Sequence, residues 1–80
     1  PFELVSSEDR DLFEALRTER LKIAQAQKLP AYIVFNDATL VEFVRQRPRS
    51  EAEFGEISGV GKTKLERYGK IFLEVIAAQS

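Results

Sequence analysis

The stretch "EFGEISGVGKTKLERYGKIFLEVIAA", Glu53–Ala78, places a helical pattern on each side of a glycine-containing turn. In the longer pattern, apolar residues recur every three or four positions, which is the spacing of one helix face. This pattern predicts a last helix from about Lys62 to Ala78. Its inward face holds Leu65, Tyr68, Phe72, Val75 and Ile76. Gly59 and Gly61 can adopt backbone angles that are closed to other residues, so they permit a sharp reversal between the two helices.

The turn also contains Gly61, Lys62 and Thr63, which match the end of an ATP-binding loop. Such a loop needs another glycine five positions before the Gly of Gly-Lys-Thr, because its backbone wraps the phosphates. That position is Glu56, whose carboxylate would repel phosphate. The preceding segment is helical in pattern and is not the buried strand that such loops follow. The spacing therefore argues against an ATP site.

A first helix is predicted at about Ser7–Gln27, capped by Ser6 or Ser7 and acidic in its first turn. Its apolar face collects Leu12, Phe13, Leu16, Ile23 and Ala24. Arg20 falls inside that apolar face, where a guanidinium needs partners. We therefore expect Arg20 to bind backbone carbonyls or a carboxylate such as Asp37.

Three shorter helical segments complete the pattern. "PAYIVFND", beginning at Pro30, is predicted as a short buried helical turn, since an isolated strand would leave its backbone unpaired. Asn36 or Asp37 then caps a third helix, which Pro48 ends. The inward stripe of that helix is Leu40, Val41 and Val44. Ser50 with Glu53 forms a capping box for a two-turn fourth helix that carries Phe54 and Ile57. The prediction is an all-α compact bundle of five short helices with a helix-hairpin-helix-like turn.

Composition limits what such a bundle does. Eighty residues make one domain, 1–80, whose core supplies about 3–5 kcal/mol of net stability. Residues 1–6 are expected to form an extended lead-in or linker, and a chain that starts at Pro1 without any Met is expected to be a piece of something longer. The absence of Cys and His argues against thiol chemistry, a zinc site and catalytic residues, and the short apolar runs predict no membrane span.

Charge is unevenly distributed, although the net charge is only −1. Residues 1–44 carry eight acids against five bases, and residues 45–80 carry five acids against seven bases. If the chain binds an anion, the second half is therefore the better candidate. There, the N–H groups of the turn and the positive end of the last helix can receive a phosphate. The candidate residues are Gly59, Val60, Gly61, Lys62, Lys64 and Arg67. In either case Val60 can pack inward as an anchor. The alternative to a phosphate site is a tight corner with solvated lysines.

Two further groups leave alternatives open. Tyr32 either packs its ring against the core with the hydroxyl in water, or also stacks on an unpaired base. Arg45, Arg47 and Arg49 surround Pro48, where they either grip phosphates or are solvated at a helix end whose dipole favours positive charge.

Three stretches, "LFEALRTERLKIA", "LPAYIVFNDATLVEFV" and "ISGVGKTKLERYGKIFLEVI", together resemble the HRDC domain, a helical module of RecQ helicases and of ribonuclease D. The resemblance covers about residues 11–77, and "GVGKTKLERYGK" is most similar to the bacterial RecQ version. It implies a bundle of five helices with an accessory role. It also places Tyr32 where DNA-binding members present an aromatic residue, and Arg17, Arg20 and Lys22 on a first helix that is basic in such members. Here Glu14 and Glu19 lie among those bases, which lowers the expected DNA affinity.

The resemblance further implies a fragment of a larger ATP-dependent DNA helicase, in which ATP and magnesium bind the parent and this domain holds no cofactor. The expected partners are single-stranded or branched DNA, bound weakly, and the parent helicase core or another repair protein. One alternative is a docking module that does not bind DNA directly. A domain of ribonuclease D is a weaker alternative. The expected location is the bacterial cytoplasm, associated with the nucleoid.

Overall fold

The computed structural model describes residues 6–79, which fold into five α-helices and contain no strand. The helices are α1 (Ser7–Gln27), α2 (Ala31–Val34), α3 (Asp37–Gln46), α4 (Glu51–Gly55) and α5 (Lys62–Ala78). The predicted all-α bundle of five short helices is confirmed, and the bounds of α1 and α5 agree with the predicted ones. Residues 1–5 of the expected lead-in lie outside the described residues.

Polar side chains fix the starts of three helices. The side-chain oxygens of Ser6, Asn36 and Ser50 accept hydrogen bonds from backbone N–H groups three residues further on, at 3.0, 2.8 and 3.2 Å. Each such cap contributes about 1 kcal/mol to stability, because it satisfies a donor that the helix itself leaves unpaired. The caps of α1 and α3 are therefore Ser6 and Asn36, and not the neighbouring Ser7 and Asp37.

The fourth helix is shorter than the two turns predicted, since α4 contains five residues. Its capping box is also modified. The Glu53 carboxylate accepts a hydrogen bond from the Arg49 N–H group at 2.8 Å, one residue before the N-cap Ser50. Beyond the helix, the Ile57 N–H group donates to the Phe54 carbonyl, so the chain continues in tight turns towards the glycines.

An aromatic cluster occupies the centre of the core. The Phe35 ring meets Phe43, Phe54, Tyr68 and Phe72 edge-on, with centroids 5.1–6.1 Å apart, and Phe43 stacks on Phe54 at 4.5 Å. Such pairs contribute roughly 0.5–1.5 kcal/mol beyond area burial. Because Phe35 follows α2 and the other rings come from α3, α4 and α5, one cluster ties four elements together.

The first helix closes the core from one side. It packs against α2, α3 and α5, whereas α4 packs against α5. The predicted inward faces are confirmed for Leu12, Phe13, Leu16 and Ala24 on α1. The same holds for Leu40, Val41 and Val44 on α3 and for Tyr68, Phe72 and Ile76 on α5. Within residues 6–79, no helix is long and apolar enough to cross a bilayer.

One prediction about burial is wrong in part. The α2 segment was expected to be a buried turn, but Tyr32 and Ile33 are exposed while Val34 and Phe35 are buried. A helix of a single turn can press only one side against the core, so its opposite side faces solvent.

Candidate nucleic-acid interface

The glycine turn is seated on the first turn of α3. Gly59 has φ 97°, and a Cβ atom built there would lie 2.3 Å from the Thr39 hydroxyl oxygen. Thr39 itself is buried, with 4% of its surface exposed. The Val60 side chain is half-buried against the core, as expected for an anchor, and its N–H group donates to the Ile57 carbonyl at 3.1 Å. The turn is therefore held in one position by α3 and by the core.

The start of α5 differs from the starts of α1, α3 and α4. Gly61 is its N-cap, and no side chain of residues 6–79 accepts a hydrogen bond from the first turn. That turn lacks acidic residues and begins with the exposed Lys62. The partial positive charge of a helix N-terminus and the Lys62 ammonium therefore add at this point.

Lys64 has a different environment from Lys62. Its Nζ atom lies 5.6 Å from the centroid of the Phe35 ring, and the residue is half-buried. A cation above an aromatic face is attracted by the ring, and its aliphatic stem covers apolar surface. Lys64 thus contributes to packing as well as to local positive charge. Arg67, less than one turn further along α5, is exposed.

The Tyr32 side chain projects from α2 with 67% of its surface exposed. The ring is therefore not mainly a core residue, although Val34 and Phe35 close by are fully buried. Other large apolar residues exposed in this part of the chain are Leu21, Leu29 and Ile33.

Arg20 links α1 to the junction of α2 and α3. Its Nη1 atom donates to the Phe35 carbonyl at 3.0 Å and to the Asp37 carboxylate at 2.8 Å. The side chain is only 11% exposed, and among the described residues its buried Nε has no partner. The predicted binding of Arg20 to a carbonyl and to Asp37 is confirmed. This leaves little of the guanidinium for a ligand.

The three arginines around Pro48 do not form one free cluster. Arg47 ends α3 in the left-handed conformation and donates to the Asp9 carboxylate at 2.9 Å, which ties the end of α3 to the start of α1. Arg45 lies 3.7 Å from Glu42 on the same helix, and Arg49 is exposed. An open cleft of about 690 Å³ lies beside the Arg47–Asp9 pair.

The predicted site residues therefore fall into two groups. The first contains the turn Gly59–Lys62 with Lys64 and Arg67 of α5, and the second contains Tyr32, near which Arg20 binds the chain. Phe35 lies between them, because Lys64 covers its ring and Arg20 binds its carbonyl. Thr39 was not predicted, although it lies four residues before Phe43 and so on the inward face of α3. Within residues 6–79, no group of acidic side chains is placed to hold a metal ion.

Comparison with known proteins agrees with the fold of five helices. The HRDC domain family model matches residues 9–76. The ATP-dependent DNA helicase RecQ of Haemophilus influenzae is 49% identical over 72 residues, and that of Pasteurella multocida is 47% identical over 72 residues. Each alignment covers 90% of this chain but only 12% and 11% of the respective relative, so the chain spans about an eighth or less of their length.

A solved structure, D. radiodurans RecQ HRDC domain 3, superimposes with a TM-score of 0.84 and 36% identity. It covers 88% of this chain and 92% of that one. The match of the family model to most of the residues, together with this agreement of fold at substantial identity, shows that the chain belongs to the HRDC domain family.

Proposed function

We propose that this chain is a non-catalytic accessory domain of a RecQ-type ATP-dependent DNA helicase, and that it modulates DNA binding and substrate choice. Two relatives of high identity are named ATP-dependent DNA helicase RecQ, which favours this parent over ribonuclease D. In this proposal ATP and magnesium bind the motor of the parent. The parent acts in the bacterial cytoplasm on nucleoid DNA.

The main observation in support of direct DNA contact is the start of α5. Three other helices begin with a side-chain cap and an acidic first turn, whereas α5 begins at Gly61 with neither. Backbone N–H groups with Lys62 beside them suit a phosphate oxygen, which accepts hydrogen bonds and carries negative charge. Lys64 and Arg67 extend the positive charge along α5, and Gly59 with Val60 sets the position of the turn.

Tyr32 supplies a second kind of contact in this proposal. An exposed aromatic ring stacks on an unpaired base without reading its identity, and such a stack contributes roughly 1–3 kcal/mol. Arg20 belongs to this surface because its bonds to the Phe35 carbonyl and to Asp37 fix the segment that presents Tyr32. Single-stranded DNA, or the unpaired part of a branched DNA, offers the free base that this contact requires.

The acidic residues of the chain keep the affinity for DNA low in this proposal. The net charge is −1, and Glu14 on α1 pairs with Arg17 at 3.1 Å. Counterion release therefore comes from only a few contacts around α5. About three phosphate contacts to a single strand predict a slope near −2 for log affinity against log salt.

A salt titration with a labelled oligothymidylate tests direct contact. We expect weak binding that falls with salt. Lys62→Ala and Arg67→Ala should each weaken it, whereas Lys70→Ala, an exposed lysine about 12 Å along α5 from Lys62, should change it less. Absence of binding at low salt, or equal effects of all three variants, would refute phosphate binding at the turn.

A docking module without direct DNA contact is the second candidate. The exposed Leu21 of α1 and the exposed Leu29 and Ile33, which are close to Tyr32 in sequence, favour it, because aliphatic side chains suit a protein surface better than they suit bases. The excess of acids in residues 1–44 would complement a basic surface of the helicase core or of another repair protein. In that case Leu29→Asp would release the domain from its partner while the DNA titration stays negative.

A further inference from the structure

We infer that residues 30–34, which we call the α2 flap, open while the rest of the domain stays folded, and that this opening brings the buried Nε atom of Arg20 into water. The inference concerns a conformational change built into the fold, and it does not require DNA. It therefore goes beyond the proposed function and stands independently of it.

The flap is bounded on each side by a residue that the fold fixes. On the first side, the Leu29 N–H group donates to the Ala24 carbonyl at 2.9 Å, which closes the end of α1. On the second side, Phe35 is 1% exposed, and its ring meets four other rings of the core. Neither of these contacts requires residues 30–34 to be helical, so both can persist when the flap opens.

The flap itself is weakly held between these two residues. A helix of one turn does not stabilise itself, because it fixes several backbone angles for few hydrogen bonds. No side chain of residues 6–79 caps its start at Pro30, and α2 packs mainly against α1. Tyr32 and Ile33 are 67% and 43% exposed, so Val34 is the buried side chain among the four residues of α2. Segments with so little apolar burial open locally at a lower free energy than the whole domain.

The closed flap also leaves a buried donor unsatisfied. The Arg20 Nη1 atom bonds Phe35 and Asp37, and α2 packs against α1 just before these residues, so the flap lies over this part of α1. The Nε atom of Arg20 is buried, and no group of residues 6–79 accepts a hydrogen bond from it. A buried N–H group without an acceptor destabilises the form that buries it. Opening admits water to Nε and removes this penalty, while the Nη1 bond to Phe35 is kept.

The flap therefore determines both how an aromatic ring is presented and whether a cation is accessible. In the closed form the Arg20 side chain is 11% exposed and Tyr32 projects outwards. In the open form water reaches the guanidinium while Phe35 keeps its place in the core. A ligand that prefers either form shifts the balance between them, so any binding at α2 is coupled to opening of the flap.

Hydrogen exchange followed by NMR on the 80-residue chain, at a series of low urea concentrations, tests this inference. The Val34 amide reports on the flap, the Arg20 Nε–H group reports on the buried cation, and the Phe72 amide inside α5 reports on global unfolding. Relative to intrinsic rates, the Val34 amide and the Arg20 Nε–H group should exchange at least about tenfold faster than the Phe72 amide. Their exchange should not depend on urea, whereas exchange at Phe72 should accelerate with it, because only global unfolding exposes much surface.

A pair of variants separates opening of the flap from motion of the Arg20 side chain alone. Ile33→Gly weakens the single helical turn at an exposed position, and it should speed exchange at Val34 and at the Arg20 Nε–H group about fivefold. Ser50→Ala removes the cap of α4 and is the matched control. It should speed exchange at Phe72 by a similar factor and leave the two flap reporters unchanged.

Two results would overturn the inference. In the first, exchange at Val34 rises with urea as steeply as at Phe72, which means that the flap opens only when the whole domain unfolds. In the second, Ile33→Gly speeds exchange at Val34 but not at the Arg20 Nε–H group, which means that the flap does not cover that group. No DNA is present in these measurements, so neither result bears on the proposed function.

Discussion

Replacing Gly59 with alanine is expected to remove most of the stability of this domain. Gly59 has φ 97°, a backbone conformation that residues with a side chain adopt at a cost of about 1–2 kcal/mol. The new Cβ atom would also lie 2.3 Å from the Thr39 hydroxyl oxygen, and 3.4 and 3.5 Å from the Cβ and methyl carbons of Thr39. The oxygen contact is far shorter than van der Waals packing allows, so the turn or α3 must move.

The cost of that movement follows from the burial of Thr39, which is 4% exposed. Its side chain cannot turn out into solvent without shifting α3, and overpacking of this kind costs typically 1–3 kcal/mol. Together with the cost of the positive φ angle at residue 59, Gly59→Ala should lower the free energy of unfolding by about 2–5 kcal/mol. A domain of 80 residues has about 3–5 kcal/mol to lose. At a urea dependence of about 1 kcal/mol per molar, the unfolding midpoint should fall by about 2 M or more.

Urea unfolding followed by circular dichroism at the helix band measures this shift, and a second substitution separates its two causes. Thr39→Ala removes the hydroxyl oxygen that the new Cβ would meet. In the double variant the steric part should therefore be relieved, and the two substitutions should couple by about 1–3 kcal/mol in a double-mutant cycle. The backbone part should remain.

Gly61→Ala is the matched control in the same turn. Gly61 has φ −86°, which any residue adopts, and a Cβ atom there would meet no described atom within 4 Å. Its cost should be about 1 kcal/mol, since alanine is a poorer N-cap than glycine. A Gly59→Ala variant as stable as Gly61→Ala, or a cycle without coupling to Thr39, would refute the idea that close contact with α3 seats the turn.

Further substitutions test the caps, the α1 link and the aromatic centre, each by urea unfolding. Asn36→Ala should lower the free energy of unfolding by about 1 kcal/mol, whereas Asn36→Asp, which keeps the accepting oxygen, should change it little. Equal losses in the two variants would contradict the role of Asn36 as the N-cap of α3. Arg20→Met should lower the free energy of unfolding by roughly 1.5–3 kcal/mol, because the Phe35 carbonyl and Asp37 lose a charged donor. Asp37→Asn should lower it less, because Asp37 is 64% exposed. If Asp37→Asn proved the more destabilising of the two, the hydrogen bond to the Phe35 carbonyl could not be the main contribution of Arg20. Phe72→Ala should lower the free energy of unfolding by about 3–5 kcal/mol and leave the chain largely unfolded in the absence of urea. A cooperative urea transition near that of the unmodified chain would contradict the central position of the Phe72 ring.

The helices were predictable because their signals are local. Apolar spacing placed the inward faces of α1 and α5, and the caps marked where helices start. The interaction of Arg20 with Asp37 was also predictable, since a guanidinium on an apolar helix face needs an acceptor and few carboxylates follow at a suitable distance along the chain. These inferences require only that a buried polar group be satisfied and that an apolar stripe be covered.

Contacts between elements that are distant in sequence were not predictable in the same way. Gly59 was identified as a turn residue that tolerates unusual backbone angles, but its closeness to Thr39 depends on how the turn lies across α3. The position of Lys64 above Phe35 depends likewise on the angle at which α5 leaves the turn. The exposure of Tyr32 could not be read from "AYIVF", because five successive apolar residues do not reveal which side of a single turn meets α1.

The structure separates the exposed residues of the proposed site from residues that connect the surface to the core. Tyr32, Lys62 and Arg67 are exposed, so their loss should change DNA affinity with little effect on unfolding. Arg20 and Gly59 instead hold the segments that present those side chains, so their loss should lower stability and affinity together. A variant of Arg20 that binds DNA poorly is therefore evidence for direct contact only if its α2–α3 junction remains intact. In a domain with a core this small, every binding measurement needs an unfolding measurement on the same variant.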